Sequence, residues 1–204
     1  MNCGVISLGR SEPCKDVVGG LKAMYFIQYD STINSTYLLN INGEIASFEN
    51  LLVLYKYDLK GTNSFDEVSN SSRELGTNFW TQNGEMNLKK MDLFLSDALN
   101  NFTVGRYHIL IEDNNGNLRF SGIEFGCEIN AEVTSGTSML DFQGAKLSFE
   151  AMEKKNSIFM SSSILDDKIN TYVVTDAASA LGLKEWWKHN ALDWNTIEDN
   201  WNEI

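Results

Sequence analysis

"RYHILIEDNNGNLRFSGIEF", residues 106–125, admits two readings that lead to different folds. Asp113, Asn115 and Asn117 stand at every second position and Glu124 falls twelfth from Asp113, which is the ligand spacing of a calcium loop between two helices. Such a loop needs glycine at its sixth position for the sharp turn, and helical flanks. The sixth position here is Leu118, and both flanks alternate. Tyr107, Ile109 and Ile111 share one face before the turn. After it, Leu118, Phe120 and Gly122 oppose Arg119, Ser121, Ile123 and Phe125. A period of two is that of a strand. Asn114-Asn115-Gly116-Asn117 supplies residues that tolerate positive φ in a hairpin loop. The stretch therefore reads as strand, turn and strand, with Asp113 and Glu124 as turn and surface charges rather than metal ligands.

The same pattern extends in both directions. "KAMYFIQYD" (22–30) is rich in aromatic and branched residues and reads as a strand. Residues 36–59 read as two or three strands with Asn42-Gly43 as a hairpin turn, and the almost wholly apolar run 51–57 fits a strand covered on both faces or lying at an assembly contact. The polar stretch "KGTNSFDEVSNSSRELGTN" (60–78) is expected to be a long loop, and loops of that length in a compact domain are often functional. Strand character returns at 79–91. A helix is expected over 91–101, with Leu93, Phe94, Ala98 and Phe102 on its apolar side. Residues 127–136 and 144–153 add two strands, the second placing Ala145, Leu147, Phe149 and Ala151 on one face. Many strands with one helix indicate a mainly β (α+β) fold, a β-sandwich or barrel with a flanking helix.

Residues 1–21 contain the only proline, Pro13, and read as an irregular N-terminal arm. The β domain is expected over 22–160. Residues 161–204 are expected to form a linker, "SSSILDD", followed by a helical, acidic C-terminal arm. Trp187, Trp194 and Trp201 are spaced by seven in that arm, with Leu183, Ile197 and Ile204 on the same side. Such an amphipathic stripe either folds back on the parent domain or docks on another subunit.

The 204 residues suit one domain, which buries roughly 70% of its unfolded surface without needing a disulfide or metal. A net charge of −12 disfavours ordinary nucleic-acid binding; it serves solubility, or a surface that must not stick to a polyanion. Cys3, Cys14 and Cys127 are odd in number and lack a CxxC pair, which points to a reducing compartment. The N-terminal stretch carries Glu12 and Asp16 and no long apolar core, so no signal peptide is expected. No run approaches roughly 18 apolar residues, so no membrane insertion is expected either.

Reactive chemistry is sparse. His108 lies mid-strand, where a structural histidine is commoner than a base, and His189 lies in the terminal arm. Cys14 beside Lys15 has a route to a lowered thiol pKa but no identifiable base. Gly19-Gly20 precedes a strand rather than a helix, which leaves a hinge and not a phosphate site. Asp166-Asp167 reads as solvated linker charge. No catalytic residue, cofactor or metal ligand is expected, and the chain reads as a non-enzyme.

The order of elements carries a resemblance. "FWTQNGEMNLKKMD" (79–92) precedes the helix, "HILIEDNNGNLRFSGIEFG" (108–126) holds a D-x-x-G turn at Asp113–Gly116 followed by Gly122 and Gly126, and "TSGTSMLDFQGAKLSFEAMEKK" (134–155) holds G-x7-G at Gly136–Gly144. Over roughly residues 20–155 this order resembles bacteriophage tail tube proteins, a family related to the tubes of contractile injection systems. "GRSEPCKDVVGGLKAMYF" (9–26) also looks like the start of structural proteins of tailed phages. The resemblance implies protomers that form stacked, hexameric rings, with inner sheets joined into a channel through which phage DNA passes without specific binding. It implies assembly in the host cytoplasm and residence in the virion tail. Its partners would be further copies of the chain and other tail proteins such as sheath, terminator and tape measure. Phe65 and Val68 in the 60–78 loop, and Trp187, Trp194 and Trp201 in the arm, are the expected inter-subunit contacts. Two other readings stay open: a ring-forming tail terminator or initiator, and a carbohydrate-binding adhesion module that stacks its tryptophans on sugars.

Overall fold

A computed structural model describes residues 9–10, 15–166 and 171–175. In chain order the elements are β1 Leu21–Gln28, α1 Ile33–Thr36, β2 Tyr37–Leu39, β3 Ile45–Phe48, β4 Leu52–Asp58, β5 Ser64–Ser72, β6 Thr77–Lys89 and α2 Leu93–Val104. There follow β7 Tyr107–Asp113, β8 Leu118–Ser121, β9 Glu128–Thr134, β10 Gly144–Glu153, β11 Ile158–Met160, α3 Ser163–Asp166 and β12 Thr171–Val174. The fold is mainly β. A curled eight-stranded sheet, ordered β12-β4-β1-β7-β8-β11-β3-β2, forms a half-barrel, and a four-stranded sheet ordered β5-β6-β10-β9 accompanies it.

The half-barrel has two buried faces because its central strands are apolar throughout. Along β1, Ala23, Tyr25 and Ile27 enter the core inside the curl, while Met24 and Phe26 enter the core shared with the four-stranded sheet and α2. β7 divides likewise, with Leu110 inside the curl and Ile109 and Ile111 toward the second sheet. Each of the large apolar ones, such as Phe26, Ile109 and Leu110, contributes roughly 1.5–3 kcal/mol by leaving water. The four-stranded sheet buries one face only. Phe65, Phe149 and Ile129 line up across β5, β10 and β9, opposite Gly84 on β6.

The hairpin at Asp113–Asn117 is as expected from the sequence, and it has a further task. The Asp113 carboxylate accepts the Asn115 and Asn117 backbone N–H groups at 2.8 and 2.9 Å and the Asn117 side-chain amide at 2.8 Å. These bonds hold its pKa down although burial opposes them most strongly. The two asparagines at the tip grip the entering chain. Asn115 exchanges two hydrogen bonds with the Val18 backbone, and Asn114 donates to the carbonyls of Gly19 and Gly20. The end of the N-terminal arm is thus fixed before β1 begins.

Three expectations need correction. Residues 60–78 are not a loop: β5 and β6 form a hairpin across nine paired positions, closed by a turn at 73–76. Its Ser, Asn and Asp residues have loop composition because β5 is an edge strand with one face in water. The apolar side of α2 is Leu95, Ala98, Leu99 and Phe102, and Leu93 and Phe94 are exposed. Asp92 caps the helix by accepting the Leu95 N–H at 2.8 Å, and this start turns the first two apolar residues outward. The β unit also continues past residue 160. Ile164 of α3 is buried in the half-barrel core, and β12 pairs in parallel with β4. Most of the C-terminal arm, with Trp187, Trp194, Trp201 and His189, lies outside the described residues, as do Cys3 and Cys14.

Candidate functional site

The outer face of the four-stranded sheet is set by its pairing. Successive rows across the sheet read Asn87–Lys146–Glu132, then Ser64–Glu85–Ser148–Asn130, then Asp66–Asn83–Glu150–Glu128, then Val68–Thr81–Met152. Strand alternation puts all of these on the face away from the core. The face is therefore hydrophilic and acidic: Asp66, Glu85, Glu128, Glu132 and Glu150 stand there against two lysines, Lys146 and, at the end of β6, Lys89. It is concave around Glu85, Asn130, Glu132 and Lys146, where it encloses about 420 Å³. Glu150 lies directly opposite Glu128, a like-charge pairing that works against the stability of the sheet.

On the inner face the sheet packs closely against its neighbours. The Phe149 ring lies over Gly84, where an added Cβ would come 2.2 Å from it, and Phe65 stacks on Phe149 with centroids 6.1 Å apart. Phe65 is partly buried and points to the inner face, packed against the core. Val68 sits on the acidic face and is exposed.

Among the described residues neither edge of this sheet meets a further strand, although α2 packs beside β9. Among the described residues β5 pairs only with β6, and β9 only with β10. Each offers a row of unpaired backbone groups. Neither contains lysine or proline, and neither pairing has a bulge. Of the devices that stop an edge from taking another strand, these two strands carry charge, Asp66 and Glu67 on β5 and Glu128 and Glu132 on β9, and β9 has α2 beside it. The strands alternate in direction across the sheet, so β5 and β9 run oppositely.

The two ends of the sheet also present apolar side chains. At one end the 135–143 loop is fixed by Asp141, whose carboxylate accepts from Thr137 N–H and hydroxyl and from Ser138 N–H at 2.7–2.8 Å. These bonds hold the Asp141 pKa far below its usual value. The loop so ordered leaves Met139 and Leu140 in water. At the other end the β5–β6 turn exposes Leu75. Sequence reading missed Met139 and Leu140. The available signal was a pair of large apolar residues inside a Thr-Ser…Asp turn pattern.

Of the polar groups suspected of chemistry, His108 and Glu124 are taken up in the joint between the sheets, at residues 121–127. Gly122 has a φ of +71° and no room for a side chain, since a Cβ would lie 2.6 Å from Cys127 Sγ. His108 is fully buried; Asp30 N–H donates to its Nε2 at 3.0 Å, so Nδ1 carries the proton donated to the Gly122 carbonyl at 2.6 Å. Burial pushes the His108 pKa down, against the carbonyls that favour the proton. Gln82 Oε1 accepts from the Ser121 hydroxyl and the Gly122 N–H. The buried Glu153 carboxylate accepts the Glu124 and Phe125 N–H groups; burial pushes its pKa up, while those donors pull it down. The Glu124 carboxylate pairs with Lys154 at 2.9 Å. Burial raises the Cys127 thiol to about 12, so it is inert at neutral pH. Among the described residues no three His, Cys, Asp or Glu side chains are grouped to hold a metal ion, and no helix is long and apolar enough to cross a membrane.

Compared with known protein families, curated proteins and solved structures, the chain matches none.

Proposed function

We propose that the chain is a structural subunit of a phage tail tube, a ring-former rather than an enzyme. The observation that carries this reading is the four-stranded sheet: one face in the core, the other acidic, and two long edge strands that meet no further strand among the described residues. Because β5 and β9 run oppositely, β9 of one copy meets β5 of the next in the antiparallel sense already present throughout the sheet. A head-to-tail contact of this kind closes into a ring when its rotation divides the circle. The ring then has no strand edge, and its sheets form one barrel.

The acidic rows line the channel of that barrel. Carboxylates facing passing DNA repel its phosphates and leave it free to slide. The like-charge pair Glu128–Glu150 disfavours the isolated protomer and serves the lumen. Stacking places the 135–143 loop of one ring, with Met139 and Leu140, against the β5–β6 turn of the next, with Leu75. This assigns ring-to-ring contact to two sheet ends in place of an unstructured loop. Assembly in the host cytoplasm, residence in the virion tail and association with sheath, terminator and tape measure belong to the same reading.

Negative-stain microscopy of the purified chain tests it. Tubes of indefinite length support a tube subunit, isolated rings support a tail terminator or initiator, and persistent monomers at high concentration contradict both. In tube-forming preparations the Met139→Ser/Leu140→Ser variant is expected to yield rings that do not stack. Unchanged tubes would remove that loop from the contact.

A further inference from the structure

A groove of about 1170 Å³ opens between α2, the end of β6 and the paired strands β4 and β12. Its apolar surface comes from Tyr55, Tyr57, Phe94 and Leu95; Phe94 is 74% exposed and Tyr55 43%. Its charge differs from that of the molecule. Lys56, Lys60, Lys89 and Lys90 line it against Asp58, Asp92 and Asp97, in a chain of net charge −12. Lys56 and Asp58 pair with each other at 3.0 Å, which leaves three exposed lysines facing two aspartates. Val174 and Thr175, the last described residues, form part of the rim.

We propose that this groove is the seat of the chain's own C-terminal segment, residues 176–204. The segment starts on the groove, so its effective concentration there is high. It carries six carboxylates against two lysines, and residues 193–204 hold four carboxylates and no cation, which complements the lysines. Its stripe of Trp187, Trp194 and Trp201 matches the aromatic floor of Tyr55, Tyr57 and Phe94 in chemistry. Trp187 lies twelve positions beyond Thr175, a span of about 18 Å as a helix and about 40 Å extended, so the stripe can turn back along the groove. Docking in this way also covers Phe94, which the helix cap leaves in water. The tryptophans then serve the chain's own surface rather than a neighbouring subunit.

The inference does not rest on the tube reading, and its test separates the two. A benzophenone amino acid replaces the exposed Phe94 in the full chain, expressed as a mixture of isotopically light and heavy copies combined before any assembly. Irradiation followed by peptide mass spectrometry is expected to join position 94 to residues 183–204, with light–light and heavy–heavy products alone. Light–heavy products would show that another copy's segment occupies the groove and would overturn the proposal. So would cross-links that miss residues 176–204. The Trp194→Ala/Trp201→Ala variant is expected to lose the product; its persistence would overturn the role given to the stripe.

Discussion

The two sheets of this protein end differently. Among the described residues the half-barrel has edge strands of four residues, β12, and three residues, β2. The second sheet stops at strands of nine residues, β5, and seven, β9. Short edges expose few backbone groups and give another chain little to pair with. The half-barrel also buries both faces of β1 and β7, whereas the second sheet buries one face and charges the other. The first sheet completes a fold. The second leaves two longer edge strands without a partner strand among the described residues.

Substitutions can break this contrast, starting with the strongest. Phe26 is nearly inaccessible and meets the rings of Phe102 at 4.5 Å and Tyr57 at 5.4 Å. Phe26→Ala is expected to cost about 3–5 kcal/mol in urea unfolding. A loss below about 1 kcal/mol would mean that the two-faced strand is not the centre of the fold. Gly84→Ala forces a methyl into the Phe149 ring and is expected to cost about 1–3 kcal/mol while also weakening assembly.

A smaller effect depends on pH. His108 is neutral in the fold and has a lowered pKa, so the unfolded chain binds its proton first. Its contribution is complete above the unfolded value of about 6.5 and is lost as pH falls below it, by at most about 1.4 kcal/mol per pH unit. The difference in unfolding free energy between the parent chain and His108→Gln is expected to narrow as pH falls from 7 to 5. A constant difference would contradict the buried neutral imidazole. The smallest change acts on the open sheet. Glu150→Gln removes the repulsion from Glu128 and is expected to stabilise the unassembled protomer by about 0.2–1 kcal/mol. Destabilisation would argue that this face is not simply a set of solvated charges.

Legibility in the sequence followed apolar period. β10 was readable because Ala145, Leu147, Phe149 and Ala151 alternate with polar residues, and the Asp113–Asn117 turn because Asn and Gly mark positive φ. β5 was not, because its inward side carries one large apolar residue, Phe65, while Glu67 faces a polar corner and accepts the Ser157 N–H at 2.6 Å. α3 and β12 were hidden for a related reason. One buried residue, Ile164, anchors a serine-rich stretch, and four residues suffice for β12 beside β4. The acidic face was unreadable as a face until the register joined Asp66, Glu85, Glu150 and Glu128 from four strands. The sequence showed the net charge but not its distribution.

Amide hydrogen exchange on assembled particles and on unassembled chain tests the central claim most directly. The account expects the β5 and β9 amides that exchange readily in the unassembled chain to become protected on assembly, with β2 and β12 unchanged. Assembled particles whose β5 and β9 amides exchange as they do in the unassembled chain would contradict it.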